Sequence, residues 1–193
     1  GIEFMAQKTA GKTTGWLSYT LSKSDRKFTK GGINNGEWFP YKYDRRHSIN
    51  LTINHKFSDR IDIGASWVFY TGGTSTIPEE KTTVIRPHNG ANNGFLWYGT
   101  YDNTNSSPTI GDVSYIEHRN NFRLPASHRL NLGVNFNKKT KHGMRTWNIS
   151  LYNAYNAMNP AWVYRGHNKQ GLSVIKKYTL LPLIPSFTYT YKF

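Results

Sequence analysis

Hydrophobic and polar residues alternate with a period of two along most of this chain. In the segment Ser48–Phe57, Ile49 and Leu51 lie on one side of an extended backbone, and Asn50 and Thr52 lie on the other. Five further segments repeat the pattern: Trp16–Ser22, Ile61–Phe69, Arg129–Phe136, Trp147–Asn156 and Ser186–Phe193. A period of two is that of a β-strand, and no segment has a helical period of comparable quality. The pattern therefore predicts an all-β fold.

The polar sides of these strands consist mainly of Asn, Ser, Thr and Gly. A soluble antiparallel sheet usually carries Lys, Glu and Arg on its wet side. Small polar side chains suit the wet interior of a transmembrane β-barrel, whose apolar side meets lipid. Aromatic residues near strand ends fit interfacial girdles: Tyr19, Trp67, Tyr70, Trp147 and Tyr155. On alternation alone, a soluble barrel of the lipocalin type is the alternative.

The connections between the predicted strands are of two kinds. Residues 57–60 and 137–145 are short turns, whereas residues 23–45 and 72–127 are long. A connection of about 50 residues is rare in compact soluble domains. Outer-membrane barrels have short periplasmic turns and long external loops. The spacing predicts an antiparallel up-and-down meander with its short turns in the periplasm and its long loops outside.

Composition adds a few limits. Aromatic residues make up 15% of the chain, which indicates an ordered protein. Cysteine is absent, so disulfides and thiolate metal sites are excluded. No apolar run approaches the roughly 20 residues of a membrane-spanning helix. We interpret residues 1–5, with the sequence GIEFM, as a cloning remnant and exclude them from fold reasoning.

The formal net charge of the chain is +14. Such a charge indicates either an anionic partner, such as nucleic acid or a lipid phosphate surface, or a segment whose charge is balanced elsewhere in a longer protein. The second interpretation is favoured because the Lys and Arg residues are dispersed. A local cluster, Lys138, Lys139 and Lys141, falls in a predicted turn.

Six stretches resemble the C-terminal barrel of TonB-dependent outer-membrane receptors, the Bacteroidetes-type members above all. They read GWLSYTLSKS, WFPYKYDRRHSINL, WVFYTGG, LPASHRLNLGVNF, WNISLYNAYNAMNP and, at the end, PSFTYTYKF. The resemblance implies that residues 6–193 form the C-terminal part of such a barrel. They would supply about the last six strands of a 22-stranded transmembrane β-barrel, with long external loops.

The same resemblance implies a function in the outer membrane of a Gram-negative cell. Members of the family bind and import a scarce nutrient, which is a siderophore, cobalamin, glycan or peptide. The inner-membrane TonB complex energises import through an N-terminal plug domain, which we expect upstream of Gln7. Expected partners are outer-membrane lipid and lipopolysaccharide, the nutrient and the barrel-assembly machinery. Six strands would leave two open edges, so self-association of the segment is also expected.

Two groups of residues are candidates for binding. Aromatic and Arg side chains on external loops stack on sugars or grip anionic ligands, and the candidates are Trp38, Arg86, Trp97, Tyr98, Tyr101 and Arg119. Packing between loops explains these residues equally well. The alternation also ends on the carboxyl terminus with Phe187, Tyr189, Tyr191 and Phe193. These four residues resemble the signal by which a last strand pairs with the assembly machinery.

No pattern indicates an enzyme, because a nucleophile elbow, a phosphate loop and paired carboxylates are absent from the sequence. The run Asp44-Arg45-Arg46-His47 could hold a phosphate or a metal, but capping of a strand end is the favoured interpretation. His47 and His55 share a strand face but are too far apart for one ion. We predict no cofactor and no metal.

Two alternatives to the transporter segment stay open. One is a soluble β-rich module that binds carbohydrate or nucleic acid with its aromatic and basic residues. The other is a small complete outer-membrane barrel of eight strands. That barrel would need two more strands within the long connection, near Phe95–Tyr101 and Val113–Phe122.

Overall fold

The computed structural model describes residues 1–30, 32–86 and 109–193, and of residues 80–86 and 109–113 only the backbone. The strands are, in chain order, β1 (Ile2–Lys8), β2 (Thr13–Leu21), β3 (Asp25–Arg26), β4 (Phe39–Pro40), β5 (His47–Lys56), β6 (Ile61–Tyr70), β7 (Thr74–Ser75), β8 (Glu80–Arg86), β9 (Thr109–Tyr115), β10 (Phe122–Arg123), β11 (Ser127–Thr140), β12 (Gly143–Tyr152), β13 (Pro160–His167), β14 (Ser173–Thr179) and β15 (Ile184–Lys192). A short 3-10 turn covers Ile33–Gly36.

The main element is a seven-stranded antiparallel sheet with the order β1-β2-β5-β6-β11-β12-β15. The strands of this sheet lie next to one another in the order in which they occur along the chain. The predicted all-β, up-and-down meander is therefore confirmed. All the strands predicted from the alternation belong to the sheet. Within the described residues, β1 and β15 are its edges and each pairs with one strand only. Membership of a 22-stranded barrel stays a prediction.

The strand β1 includes residues that we had set aside as a cloning remnant. Ile2 pairs with Leu21 and Phe4 pairs with Tyr19, in a ladder that continues to Lys8. The segment alternates like the other strands, and its apolar residues extend the apolar side of β2. Its origin stays a prediction, but residues 2–5 belong to the sheet.

The long and short connections lie at opposite ends of the sheet. The short ones are residues 9–12, 57–60 and 141–142, and the long ones are residues 22–46, 71–126 and 153–183. In an antiparallel meander, every second connection lies at the same end. All three long connections therefore share one end, as the sequence predicts. We call the two ends the long-loop end and the short-turn end.

Strand β12 ends earlier than the alternation predicts. It stops at Tyr152, whereas the alternating pattern continues to Asn156. Asn153 has a positive φ of 53°, and its buried side chain binds the backbone of Ala157 and Leu181. Asn tolerates this left-handed conformation and so turns the chain. The hairpin β13–β14 follows as a separate two-stranded sheet.

The pairing register sorts the residues of the main sheet onto two faces. Along β12, Trp147, Ile149 and Leu151 lie on what we call the apolar face, and Asn148 and Ser150 lie on the polar face. The apolar face continues across every strand because apolar residues pair with one another. The directly opposed pairs include Leu17 with Leu51, Leu51 with Trp67, Trp67 with Leu130, Val134 with Ile149, and Ile149 with Phe187.

The described part of the chain has almost no buried apolar core. Its buried hydrophobic residues are Phe39 and Ile77, and both lie in the long connections. The apolar face of the sheet is exposed instead, for example at Ile149 (49%) and Phe187 (64%). No helix in this part of the chain is long and apolar enough to cross a membrane.

The chain divides into two compact units, residues 1–77 with 118–193 and residues 78–117. In the described part of the smaller unit, β8 and β9 pair with each other from Glu80 with Tyr115 to Arg86 with Thr109. Neither β9 nor β10 joins the main sheet, so the strand expected near Val113–Phe122 does not extend it. The one expected near Phe95–Tyr101 lies outside the described residues.

Candidate functional site

The long-loop end carries a packed cluster built from residues 22–46, 71–77 and 118–126, which we call the loop cluster. Asp44 lies at its centre with a fully buried side chain. Its carboxylate accepts hydrogen bonds from Arg123 Nη2 at 2.6 Å and from the Ser24 backbone N–H at 2.7 Å. Arg46 Nε lies 3.4 Å from the same carboxylate. One carboxylate therefore joins the segment 22–46 to the segment 118–126.

Arg123 reaches further than this ion pair. Its Nη1 donates to the backbone carbonyls of Asp44 and Gly72, both at 2.9 Å. The backbones pack closely here: a Cβ on Gly72 would lie 2.0 Å from the carbonyl oxygen of Leu124. Only glycine fits such an approach. The guanidinium thus holds all three segments of the loop cluster together.

The electrostatics keep Asp44 ionised. Burial by itself would raise the pKa of this carboxyl, because it removes water from the charge. The hydrogen bonds from Arg123 and Ser24 and the positive charges of Arg46 and Arg123 outweigh burial, and the pKa lies below its ordinary value of 3.8. Within the run Asp44-Arg45-Arg46-His47, the carboxylate therefore binds groups of the protein itself. His47 Nδ1 lies 2.9 Å from the Tyr19 hydroxyl.

Asparagine side chains complete the loop cluster. Asn121 exchanges two hydrogen bonds with the backbone of Ile77, both at 2.9 Å. Asn120 donates to the carbonyl of Pro40 at 2.7 Å and accepts from Thr76 at 3.4 Å. These bonds satisfy loop backbone groups that no strand ladder reaches. The loop cluster is therefore a defined platform, although it consists mostly of irregular chain.

Two of the candidate ligand-binding residues lie on this platform. Trp38 is 68% exposed, and Lys27 Nζ lies 6.0 Å from the centroid of its ring. Arg119 is also exposed, and its backbone N–H donates to Asn34 Oδ1 at 2.8 Å. Both side chains are available to a ligand, as an external-loop role requires.

The other candidates are not brought to this platform by what the structure describes. Trp97, Tyr98 and Tyr101 lie outside the described residues. Arg86 ends β8 in the smaller unit, and its side chain is not described. Their role in ligand binding stays a prediction.

Three of the four C-terminal aromatic residues, Phe187, Tyr189 and Tyr191, lie together on the apolar face of the edge strand β15, and Phe193 directly follows the end of that strand. Phe187 and Tyr189 pack against Trp147, with ring centroids 5.1 and 4.4 Å away. Tyr191 packs more loosely against Phe193, at 6.2 Å. Phe193 is fully exposed. The arrangement leaves an aromatic edge accessible, but whether the assembly machinery uses it stays a prediction.

The polar face holds a network that the sequence analysis missed. The Asp62 carboxylate accepts from Asn135 Nδ2 and Asn137 Nδ2, both at 2.6 Å. Asn148 donates to Asn135 Oδ1 at 2.6 Å, and Thr146 donates to Asn137 Oδ1 at 2.7 Å. The network spans β6, β11 and β12. Its signal in the sequence was Asn at every second position of one strand facing Asn and Thr on the next.

A second contact on the polar face joins Arg129 to Tyr152. The guanidinium donates to the Tyr152 hydroxyl and lies over its ring, 4.3 Å from the centroid. Nearby, Asn131 donates to Ser66 at 3.1 Å and accepts from the backbone of Asn153. Polar side chains on this face thus bind one another across strands and cover the sheet with hydrogen-bonding groups.

Comparison with known proteins identified no relative: no family model matches the chain, and no curated protein and no solved structure shows significant similarity to it.

Proposed function

We propose that this chain forms part of the wall and external loops of an outer-membrane transporter of the TonB-dependent type. The observation that carries the proposal is an inverted pattern of burial. On β12, the apolar Trp147 and Ile149 are exposed, whereas the polar Thr146 and Asn148, which alternate with them, are partly buried. A water-soluble sheet has the opposite pattern, with its apolar face packed on a core.

The size of the exposed apolar face makes water a poor solvent for it. Its residues exposed by a third or more are Ile2, Phe4, Leu17, Leu21, Ile53, Ile61, Leu132, Phe136, Trp147, Ile149, Phe187, Tyr189 and Tyr191. Fully burying one such side chain is worth about 1.5–3 kcal/mol. In water, these half-exposed residues therefore lack on the order of 10 kcal/mol of the stabilisation that burial would give. This is as much as the whole stability of a typical domain. Contact with lipid hydrocarbon removes this cost.

The polar face supports a wet interior on the other side of the wall. Asp62 and its Asn partners satisfy one another laterally, but their remaining donors and acceptors need water or a polar partner. A barrel lumen supplies that water. The strand ends are also staggered between β6 and β11: Phe136 pairs with Ile61, the first residue of β6, while β11 continues to Thr140. Closed barrels require such a stagger.

In a transporter of this type, each end of the sheet would lie on a defined side of the outer membrane. The loop cluster, with Trp38 and Arg119 exposed on it, would face outside near lipopolysaccharide and meet the nutrient. A siderophore, cobalamin, glycan or peptide remains the expected class. The short-turn end would face the periplasm, and coupling to the TonB complex would run through a plug domain outside this chain. The edges β1 and β15 would pair with further strands or with a second copy.

Labelling of intact cells tests the location and the direction. The chain has no native cysteine, so each introduced cysteine is the one thiol within these 193 residues, and the reading frame without it gives the background labelling. We expect Lys27→Cys, in the loop cluster, to react with a membrane-impermeant maleimide added to whole cells that express the complete reading frame. Lys141→Cys, in a short turn, is the matched control and should react only after the outer membrane is permeabilised.

Three results would contradict the proposal. Equal labelling of both variants in intact cells would place both ends on one side of the membrane. The reverse order would invert the assigned direction. Recovery of the protein from the water-soluble fraction as a monomer would favour a soluble β-rich module.

A further inference from the structure

The apolar face carries an ordered series of residues where β11, β12 and β15 approach the short-turn end. The rows of directly paired residues are, from the middle outward, Val134 with Ile149 and Phe187, then Phe136 with Trp147 and Tyr189, then Lys138 with Arg145 and Tyr191. The series thus passes from mainly aliphatic to aromatic to cationic side chains. Residues of a membrane-facing wall follow the same order from hydrocarbon to water.

The third of these rows contains a pair that the sheet alone does not explain, and one further pair, Thr140 with Gly143, lies beyond it. Lys138 and Arg145 face each other directly on neighbouring strands, and both are exposed. Like charges in this position destabilise a sheet. Among the described residues, neither cation forms an ion pair. The nearby turn contains Asp59, which binds Lys56 at 2.9 Å. The two positive charges therefore lack an anion within the described part of the protein.

The depth of this row matches the position of lipid phosphates. Rows on one face are two residues apart, which is about 6.6 Å along a strand. With a tilt of about 40°, this spacing becomes roughly 5 Å of depth. The headgroup region of a bilayer is about 5–7 Å thick on each side of the hydrocarbon. If Trp147 and Tyr189 lie at the hydrocarbon boundary, Lys138 and Arg145 lie among the phosphates.

We propose that Lys138 and Arg145 form a binding site for the phosphodiester of an anionic phospholipid at the short-turn end. This inference rests on the proposed function, because the site requires the apolar face to lie in a bilayer. Arg145 offers a planar fork of donors to two phosphate oxygens, and Lys138 adds a mobile positive charge. Tyr191, in the same row, adds a hydroxyl that can bond to the headgroup.

Electron paramagnetic resonance of spin-labelled lipids tests the site. The complete chain is reconstituted in phosphatidylcholine vesicles that contain a trace of labelled phosphatidylglycerol or labelled phosphatidylcholine. We expect the wild type to prefer phosphatidylglycerol in its boundary layer, and Lys138→Gln with Arg145→Gln to lower that preference by about fivefold or more, the factor for one surface cation near anionic lipid. Conservative exchange, Lys138→Arg with Arg145→Lys, should keep it.

The matched control removes two charges at the same end but away from the apolar face. Lys139 points to the polar face, where it pairs with Met144, and Lys141 lies in the turn. We expect Lys139→Gln with Lys141→Gln to keep most of the preference. An equal loss in both double variants, or no loss in either, would overturn the site in favour of diffuse attraction. A wild type without any preference would also overturn it.

A probe at Ile149 separates this failure from failure of the proposed function. If a label on Ile149→Cys is quenched by lipid while phosphatidylglycerol is not preferred, only the phosphodiester site is wrong. If that label stays in water, both proposals fail. Excess inorganic phosphate provides a further test. It should not displace the labelled lipid, because the free ion lacks the acyl chains that hold the headgroup in place. Displacement would contradict a lipid site.

Discussion

Replacing Asp44 by Asn tests whether one buried carboxylate holds the loop cluster together. The change keeps the size of the side chain but removes the charge that Arg123 and Arg46 surround. Breaking a fully buried ion pair costs about 3–5 kcal/mol. The side chain of Arg123 is 34% exposed, so water screens part of the lost interaction. We therefore expect the cluster to lose about 2–3 kcal/mol of stability against local opening.

Native-state hydrogen exchange measures this opening directly. The reporting amides are those of Ser24, Thr74 and Leu124, whose N–H groups bond to Asp44 Oδ1, to the carbonyl of Lys42 and to the carbonyl of Gly73. A loss of about 2–3 kcal/mol should speed their exchange by about 30- to 150-fold. Amides in the ladder between β5 and β6 should exchange at unchanged rates, because the cluster can open while the sheet stays paired.

Asp25 provides the matched control in the same connection. It pairs with Lys23 at 3.0 Å, but the lysine side chain is 63% exposed. Such surface pairs contribute about 0–1 kcal/mol. Asp25→Asn should therefore change the exchange of the reporting amides by less than about fivefold. If Asp44→Asn and Asp25→Asn have the same small effect, the carboxylate does not hold the cluster, and the reasoning is refuted.

Three further predictions concern other parts of the molecule. Because the pKa of Asp44 lies below 3.8, the stability that it gives the loop cluster should be present above that pH and be lost as the pH falls through the lowered value; pH-independent exchange protection between pH 5 and 2 would contradict this. Asp62→Leu leaves Asn135 and Asn137 without their acceptor, so we expect a loss of about 2 kcal/mol in urea unfolding from lipid, with Asp59→Asn as the exposed control that changes nothing measurable. Removal of the Phe193 side chain should slow assembly into the outer membrane, and assembly of this variant at the normal rate would count against the signal.

The strands and their two faces could be predicted from the sequence because successive side chains of a β-strand lie on opposite faces. Apolar and polar residues therefore alternate along each strand. Ile49, Leu51 and Ile53 share the apolar face, and the residues between them share the polar one. The length of the connections also predicted which strand ends lie together. β1 was missed because its first residues resemble a vector sequence. A pairing partner such as Leu21 for Ile2 is visible only once the register is known.

The loop cluster could not be predicted because its contacts join distant parts of the chain. Arg123 and Asp44 are 79 residues apart, and neither lies in a repeating pattern. Asp44 was considered as a metal or phosphate ligand because sequence neighbours were its only visible partners. Similarly, the alternation placed Asn135 on the polar side of its strand, but its bonds to Asp62 and Asn148 depend on the register of three strands.

The exposure of the apolar face to lipid is measured most directly at two adjacent positions of β12. Ile149→Cys and Asn148→Cys differ by one residue and face opposite sides of the sheet. In lipid vesicles, a fluorescent label on Ile149→Cys should be quenched by brominated acyl chains and protected from aqueous iodide, and a label on Asn148→Cys should show the reverse. If aqueous iodide quenches both labels equally and brominated lipid quenches neither, the apolar face does not meet hydrocarbon, and the account is wrong.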